Sequence, residues 1–443
     1  MSKGKVYFYT LGCRVNQYET DAARELFISS GYDIVYDHQD ADICIVNTCT
    51  VTGEADRKSR QHLRGLARLN PDALIVAMGC ASEMADGDVD ADIVLGTRDK
   101  NDIVKRVEEF LAGHSEFGHK ASHKRPDLSK SDYFHDFGTI ISPEGSRAFM
   151  KIEDGCNNFC TYCIIPFARG RVASRSRESI REEARNLASA GFKEIIVSGI
   201  EVCSYGSDRG EGIEAFLGVL QDIAEVKGIE RIRLGSLEPS SLSVEFIEGL
   251  AKIKQMCPHF HLSLQSGSDT VLKRMNRKYD TKLYLEKVAL LRKAFPSMKL
   301  TTDIICGFPE ETEDEFEQTF EFVKSCGIDK VHVFPYSRRE GTRAASMPQV
   351  PGAAKKERTE RLRKLSDERE LSYAVSFIGK KLEVLVENYN EYKDGSEVYG
   401  VGYSREYVYC FFRIEGERRP EVGSIVTVEP YETYSLALLC KLL

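Results

Sequence analysis

The sequence predicts a three-part α/β chain: an N-terminal doubly wound parallel sheet, a central partial (βα)6 barrel and a small C-terminal β-barrel. Three observations carry that prediction. Short apolar runs alternate with amphipathic stretches of helical period over residues 1–113, and again over 146–375. The periodicity is lost over 114–145, which therefore reads as a linker. From 376 to 443, period-2 runs separated by Gly, Asn and Asp turns replace the helices.

Composition narrows the class. The chain has 443 residues, 42% of them hydrophobic, enough for ordinary packed cores in several domains. No run approaches the ~18 apolar residues of a membrane span. Residues 1–5 are polar and lead straight into a strand, so no secretory signal is expected and a cytoplasmic location is. The net charge is −8, whereas a nonspecific nucleic-acid binder is basic, so any RNA contact must rest on local patches. Thirteen cysteines, an odd number, point in that compartment to metal or catalytic use rather than disulfides.

In the first region, the runs 6–10, 43–46 and 73–78 each lead into a cysteine: Cys13, Cys49 and Cys80. A fourth run, 92–95, ends in Gly96, and helical patterns fall at 19–30 and 54–69. Functional residues of parallel sheets gather beyond the carboxyl ends of the strands. The three thiols should then share one edge and suit a three-ligand cluster site. Any one alone reads equally as a small buried hydrophobe, as Cys44 does inside its strand. The helix after Cys49 carries Arg57, Lys58, Arg60, Arg64 and Arg68, either a solvated face or a phosphate contact. In the linker, His114, His119, His123 and His135 lack tight ligand spacing.

The central region repeats strand and helix six times, with apolar runs at 149–152, 194–197, 231–234, 259–264, 300–305 and 330–334 and helical stretches such as 179–190, 213–226 and 313–326. A parallel barrel places its site at the carboxyl face of the strands. The loop CNNFCTYC, 156–163, follows the first strand. Its cysteines, Cys156, Cys160 and Cys163, are four and then three residues apart, unlike the paired arms of a zinc site. Soft thiolates gathered on one loop suit a 4Fe–4S cluster, and three ligands leave one iron open. Polar residues follow the later strands: Gly199 and Glu201, Ser236 and Glu238, Ser263, Gln265 and Ser266, and Asp303 on the fifth. Gly199 permits close backbone approach and Glu201 can accept from an ammonium group. Arg169, Arg171 and Arg175 offer guanidinium groups for a carboxylate or a phosphate. Cys203, Cys257, Cys306 and Cys326 lack cluster spacing and read as structural. Residues 353–370 form a charged helix of alternating sign.

The last region predicts about five short strands, a small barrel of the kind that serves as a nucleic-acid platform. It holds eight basic and eleven acidic residues. RNA contact there needs a patch, with Lys380, Lys381, Arg413 and Arg418, or Tyr403 and Tyr407, as candidates.

These residues resemble a known family. CNNFCTYC, with Tyr162 as its aromatic position, is similar to the cluster loop of radical S-adenosylmethionine (SAM) enzymes. TLGCRVNQYETD (10–21), VNTCTVTGEADRKSRQ (46–61) and Gly79-Cys80 resemble the N-terminal domain of methylthiotransferases. LSLQSGS (262–268) and DIICGFP (303–309) also match, and PFARGR (166–171) has Phe167 where the family has tyrosine. The CRVNQ and TVT segments are similar to the subgroup acting on threonylcarbamoyladenosine in tRNA, and the position of the last region resembles a TRAM domain.

The resemblance implies two 4Fe–4S clusters. The one on Cys156, Cys160 and Cys163 cleaves SAM to a radical, with Tyr162, Gly199, Glu201, Ser236, Glu238, Gln265 and Arg175 about the cofactor. The auxiliary one on Cys13, Cys49 and Cys80 delivers the sulfur. The implied reaction puts a methylthio group on carbon 2 of the modified adenosine beside the anticodon. An unactivated aromatic C–H has no acidic proton, so acid–base catalysis offers little and the cofactors carry the step. The implied partners are tRNA and a reductant such as flavodoxin or ferredoxin, with a monomeric, membrane-free enzyme. Isopentenyladenosine and a ribosomal-protein aspartate are the alternative substrates. A cluster carrier or RNA-binding protein is the non-enzymatic alternative.

Overall fold

The computed structural model describes residues 2–113, 116–128, 133–141, 143–391, 398–414 and 419–443. The N-terminal sheet has five parallel strands: β1 (Lys5–Thr10), β2 (Asp33–Val35), β3 (Ile43–Thr48), β4 (Leu74–Gly79) and β5 (Ile93–Leu95). Their order is β2-β1-β3-β4-β5, so the sheet winds outward both ways from β1/β3. Every residue of β3 and β4 is buried, which is why both read as continuous apolar runs. The helix predicted at 19–30 begins earlier, at Arg14, directly after Cys13.

The central barrel is an arc of parallel strands: β6 (Ala148–Lys151), β7 (Glu194–Ser198), β8 (Arg231–Leu234), β9 (Ser236–Leu237), β10 (His259–Leu262), β11 (Lys299–Cys306) and β12 (Lys330–Pro335). β8 and β9 are one strand bent at Gly235: the first half pairs with β7, the second with β10. Six strand positions therefore stand where the periodicity placed them. The N-terminal sheet covers the two ends of the arc. Helix Arg14–Ser29 packs on β6, while Gly53 N donates to Ser337 Oγ (2.8 Å) just beyond β12.

At the first of these contacts Arg175 is fully buried. It donates to Glu183 (2.8 Å), the Tyr18 hydroxyl (3.0 Å) and the Gly138 carbonyl (3.0 Å). The expected cofactor or RNA contact of Arg175 is thereby corrected: its guanidinium is consumed in stapling the two domains.

The segment 114–145 is more than a linker. Ala121–His123 pairs antiparallel with Gly87–Val89, Ile140 is buried against Tyr18 and Ala22, and His119 meets Asp92 at 2.9 Å. His114 lies outside the described residues.

The C-terminal sheet comprises β13 (Leu382–Leu385), β14 (Asn388–Glu391), β15 (Val398–Tyr403), β16 (Tyr409–Arg413), β17 (Ile425–Tyr434) and β18 (Ala437–Leu442), in the order β13-β17-β18-β16-β15-β14. It curls back on itself through the Val384–Ser404 bridge and Glu387 N to Val401 O (2.8 Å). It docks under the amino ends of the barrel strands. There Glu194 accepts from Arg233 (2.8 Å), Lys299 pairs with Glu370 (2.8 Å), and Arg231 and Arg233 donate to the carbonyls of Glu383 and Ser404.

Tyr407 stacks on His259 (4.2 Å) under Arg233, and Tyr403 stacks on Tyr407. Both tyrosines expected to stack on RNA are instead committed to this floor. Lys380 and Lys381 remain exposed, while Arg418 lies outside the described residues. Glu194→Ala leaves Arg231 and Arg233 buried without their anion. We expect it to cost about 3–5 kcal/mol, read as a lowered urea midpoint at unchanged slope.

Candidate functional site

The three strand-end cysteines of the N-terminal sheet are brought together by side chains that stitch one strand end to the next. Asn16 donates to the Leu11 carbonyl (2.7 Å) and the Thr48 carbonyl (3.1 Å), tying the Cys13 turn to the Cys49 turn. Thr48 Oγ1 donates to Met78 O (2.7 Å) and accepts from Ser82 N (3.0 Å), tying Cys49 to Cys80. Ser59, the seventh residue of helix Gly53–Leu69, accepts from Cys49 N (3.1 Å).

Two glycines make the approach possible. Gly79 has φ +104°, and a Cβ there would lie 2.6 Å from the Thr48 carbonyl. Gly12, at φ +112°, would put one 2.9 Å from Cys49 Cβ and 3.0 Å from its sulfur. Gly12→Ala is therefore expected to displace Cys49 and to cost the reconstituted protein about half of its iron, checked by iron analysis per chain; full iron would show that the crowding is relieved elsewhere.

The second set lies on one loop. Gly155 (φ +78°) starts it, since a Cβ would sit 1.9 Å from the Arg171 carbonyl. The loop is held from outside: Thr161 N and Oγ1 donate to the carbonyls of Met275 (3.0 Å) and Arg274 (2.9 Å), and Ala344 N donates to Thr161 O (2.8 Å). Cys156, Cys160 and Cys163 are half-buried and none is in a disulfide. Arg277 donates to Cys160 Sγ (3.1 Å) and the Tyr279 hydroxyl (2.9 Å), and pairs with Glu238.

Both sets fit iron–sulfur clusters: three free thiols each, at strand ends, under fixed N–H donors. Among the described residues no three His, Cys, Asp or Glu side chains converge as they would on a single ion. Burial pushes Cys49 up to about 11 and Cys163 up to about 12, so ligation displaces protons from these thiols.

A cleft of about 630 Å³ opens beside the two sets, between the first domain and the barrel. Thr50, Ala81 and Ile164, which directly follow Cys49, Cys80 and Cys163, all line it, and its five arginines, Arg125, Arg338 and Arg339 among them, are matched by Asp56, Asp86, Asp88, Asp90 and Glu340. The strand-end edge of the first sheet thus meets the carboxyl face of the barrel.

The remaining expected residues gather at that face with different roles. Glu201 is pushed up to about 8 by burial and then by Glu238. Gly199 has its close approach to the Glu153 carboxyl, 2.5 Å from where a Cβ would be, rather than to open space. Glu153 in turn accepts from Glu201 N (2.9 Å).

Ser236 is exposed on a strand whose next residue, Leu237, is fully buried, so it faces the lumen. Gln265 holds φ +70°, a strained conformation for a residue with a side chain. Tyr162 wedges its ring edge-on to Phe308. Ser266 is buried on Thr319 (3.1 Å). Within the lumen His261 meets Asp303 (3.3 Å) beside His332, and burial pushes His332 down to about 4.

Sequence reasoning missed Arg277, Glu153, Asp154, Glu19 and Arg14. Charges inside the strand run Lys151-Ile152-Glu153-Asp154 were a usable signal for two of them; of the others, Glu19 meets Lys100 from 81 positions away, Arg277 meets the Cys160 sulfur from 117, and Arg14 has no hydrogen-bond partner among the described residues.

On the basic helix, Lys58 and Arg60 pair with Glu54 and Asp56 one turn back, and Arg64 pairs with Asp90. Most of that charge is answered within the protein.

Residues 150–323 match the radical SAM superfamily, and residues 5–95 match uncharacterized protein family UPF0004. The threonylcarbamoyladenosine tRNA methylthiotransferase MtaB of Bacillus subtilis is 38% identical over 96% of this chain and 93% of its own length. The MtaB of Aquifex aeolicus is 37% identical over 86% and 92%. The tRNA-2-methylthio-N(6)-dimethylallyladenosine synthase of Moorella thermoacetica is 36% identical over 85% and 86%. Among solved structures, the radical S-adenosylmethionine methyltransferase TsrM of Kitasatospora setae, with cobalamin and a 4Fe-4S cluster bound, superposes with TM-score 0.56 at 16% identity. It covers 78% of this chain and 77% of that one, a likeness of fold.

Proposed function

Because the chain belongs to the radical-SAM methylthiotransferase family, we propose that it installs a methylthio group at carbon 2 of threonylcarbamoyladenosine beside the tRNA anticodon. The observation that carries this reading is the meeting of the two three-thiol sets across the domain boundary, where Arg169, six residues beyond Cys163, donates to Cys80 Sγ (3.2 Å). It has two 4Fe–4S clusters and uses SAM: Cys156, Cys160 and Cys163 would hold the one that would supply radical chemistry from SAM, and Cys13, Cys49 and Cys80 the auxiliary one that would supply the sulfur.

The chain's own residues bind and orient. Glu201 and Glu238 together offer the carboxylate that a SAM ammonium group needs, and the ammonium in turn favours ionised Glu201. Gln265 and Ser236, near neighbouring strand ends, would offer polar groups to the cofactor. Arg338, exposed at the cleft, suits the phosphates of the anticodon loop, whereas Arg339 is spent on Thr50 and Asp56.

The lumen is polar, which favours threonylcarbamoyl over an isopentenyl tail. Asp303 and His261 suit its hydroxyl and ureido N–H groups. Arg14, half-buried beside Cys13, has no hydrogen bond or ion pair among the described residues. Asp303 and Tyr407 both lie within its electrostatic reach, so it is placed to meet the substrate's carboxylate.

The proposal extends to a TRAM-like role for the C-terminal sheet, a flavodoxin or ferredoxin reductant, a monomeric state and a cytoplasmic location. No helix among the described residues is long and apolar enough to cross a membrane. The test is mass spectrometry of tRNA nucleosides from cells lacking the gene. Loss of the methylthio form of threonylcarbamoyladenosine alone supports the reading, and loss of the dimethylallyl form instead transfers it to the other subgroup.

A further inference from the structure

One buried group of charges holds more cations than anions. Arg169, Lys100 and Lys151 meet Glu19 and Asp154, and no side chain of the five is more than 4% exposed. Arg169 Nη1 donates to Glu19 Oε1 (2.8 Å) and Asp154 Oδ1 (3.1 Å). Lys151 reaches Glu19 Oε1 at 2.9 Å, and Lys100 closes on Glu19 from the other side. Arg98, also buried, rests a fourth cation on the Arg169 carbonyl. A buried positive charge without an anion is costly, so this surplus needs a negative partner.

The nearest such partner is a sulfur. Arg169 Nε donates to Cys80 Sγ at 3.2 Å. Its Nη2 donates to Asn16 Oδ1 (2.8 Å), and Asn16 ties together the turns that carry Cys13 and Cys49. One planar guanidinium therefore touches one thiol of the N-terminal set directly and, through a single residue, the turns that carry the other two, a fork no lysine can reproduce. Arg169 itself belongs to the barrel, six residues beyond Cys163, and Asp154 lies two residues before Cys156. The network thus runs from one thiol set to the edge of the other.

We propose that Arg169 is the positioning residue of the auxiliary cluster: its N–H···S bond and its buried charge hold the Cys80 sulfur and raise the cluster's reduction potential. Positive charge and hydrogen bonds to a cluster's sulfurs favour the reduced, more negative form. The tuning group comes from the other domain, so the auxiliary site is complete only when sheet and barrel are docked. The inference rests on the cluster assignment of Cys13, Cys49 and Cys80.

The test uses the full chain with Cys156, Cys160 and Cys163 replaced by alanine, so that only the auxiliary site holds iron. After anaerobic reconstitution, the midpoint potential is read by EPR-monitored redox titration in this background, with R169Q, R169K or E19Q added. R169Q is expected to titrate at lower potential with altered g values, and R169K between it and the parent. E19Q, which removes an anion and leaves Arg169 in place, is expected to move the potential the opposite way, upward.

An R169Q protein with full iron and the parent's potential and spectrum overturns the proposal. So does E19Q moving downward, which is what a merely loosened site would do. Should R169Q hold no iron, R169K and E19Q decide by the same signs. A background protein that binds no iron with Arg169 intact removes the auxiliary site itself, and the proposal with it.

Discussion

Cys160→Ala eliminates 5′-deoxyadenosine formation from SAM, by at least about 1000-fold, the scale of loss when a member of a catalytic unit is removed. The fold survives the change, because the loop is held by Thr161, whose backbone and hydroxyl bond to Met275 and Arg274 independently of any metal. Alanine therefore deletes a ligand rather than a structure, and iron per chain should fall by half.

Cys49→Ala is the counterpart. Its ligand lies in the other domain and its loss leaves the barrel loop intact. It should retain measurable SAM cleavage while producing no methylthio nucleoside. Anaerobic assays that quantify deoxyadenosine and modified nucleoside separately check both variants. Equal loss of cleavage in the two would deny the division of labour between the sets.

Which parts could be read beforehand follows from what each part depends on. Parallel strands buried on both faces are apolar along their whole length, so β3 and β4 announce themselves, and so do the cysteines that end them. The last region reads less completely. β14 is Asn-Tyr-Asn-Glu, which carries no alternation of apolar and polar residues, and six strands form where about five were expected. The bend at Gly235 is likewise silent in sequence, since it depends on β8 and β9 serving different neighbours.

Charged residues were the least legible, because a charge is visible in sequence and its partner is not. Arg175 looked available for a cofactor or a phosphate. It is spent on Glu183 and on Tyr18, 157 positions away. Tyr403 and Tyr407 looked like a stacking platform, yet the strand starts beneath them supply His259 and Arg233 as their partners. Arg169 was singled out for a SAM carboxylate or RNA, but its geometry commits it to Cys80 and Glu19. In each case the local signal named a chemical capacity, and the tertiary fold chose where it is used.

Arg277→Ala should be the most damaging change outside the cysteines. Arg277 is 6% exposed and serves three groups: the Cys160 sulfur, the Tyr279 hydroxyl and Glu238. Glu238 in turn acts on Glu201, and burial already raises both carboxyls, with Arg277 the main influence opposing the rise at Glu238. Without the guanidinium, two neighbouring buried carboxyls face each other with no cation. Both are then pushed further towards their protonated forms, which weakens the negative charge that an ammonium ligand requires. Truncating one partner of such a pair costs about 3–5 kcal/mol. Losing a preorganised donor to the Cys160 sulfur adds about a 100-fold fall in rate.

The expected signature is a raised KM for SAM together with a reduced kcat, whereas Arg277→Lys, which keeps the charge but not the fork, should recover much of the KM and little of the rate. Initial-rate kinetics of deoxyadenosine formation, normalised to iron, resolve the two. An alanine variant with unchanged KM would mean that Arg277 only packs the loop and that the Glu201–Glu238 pair does not receive the cofactor's ammonium group.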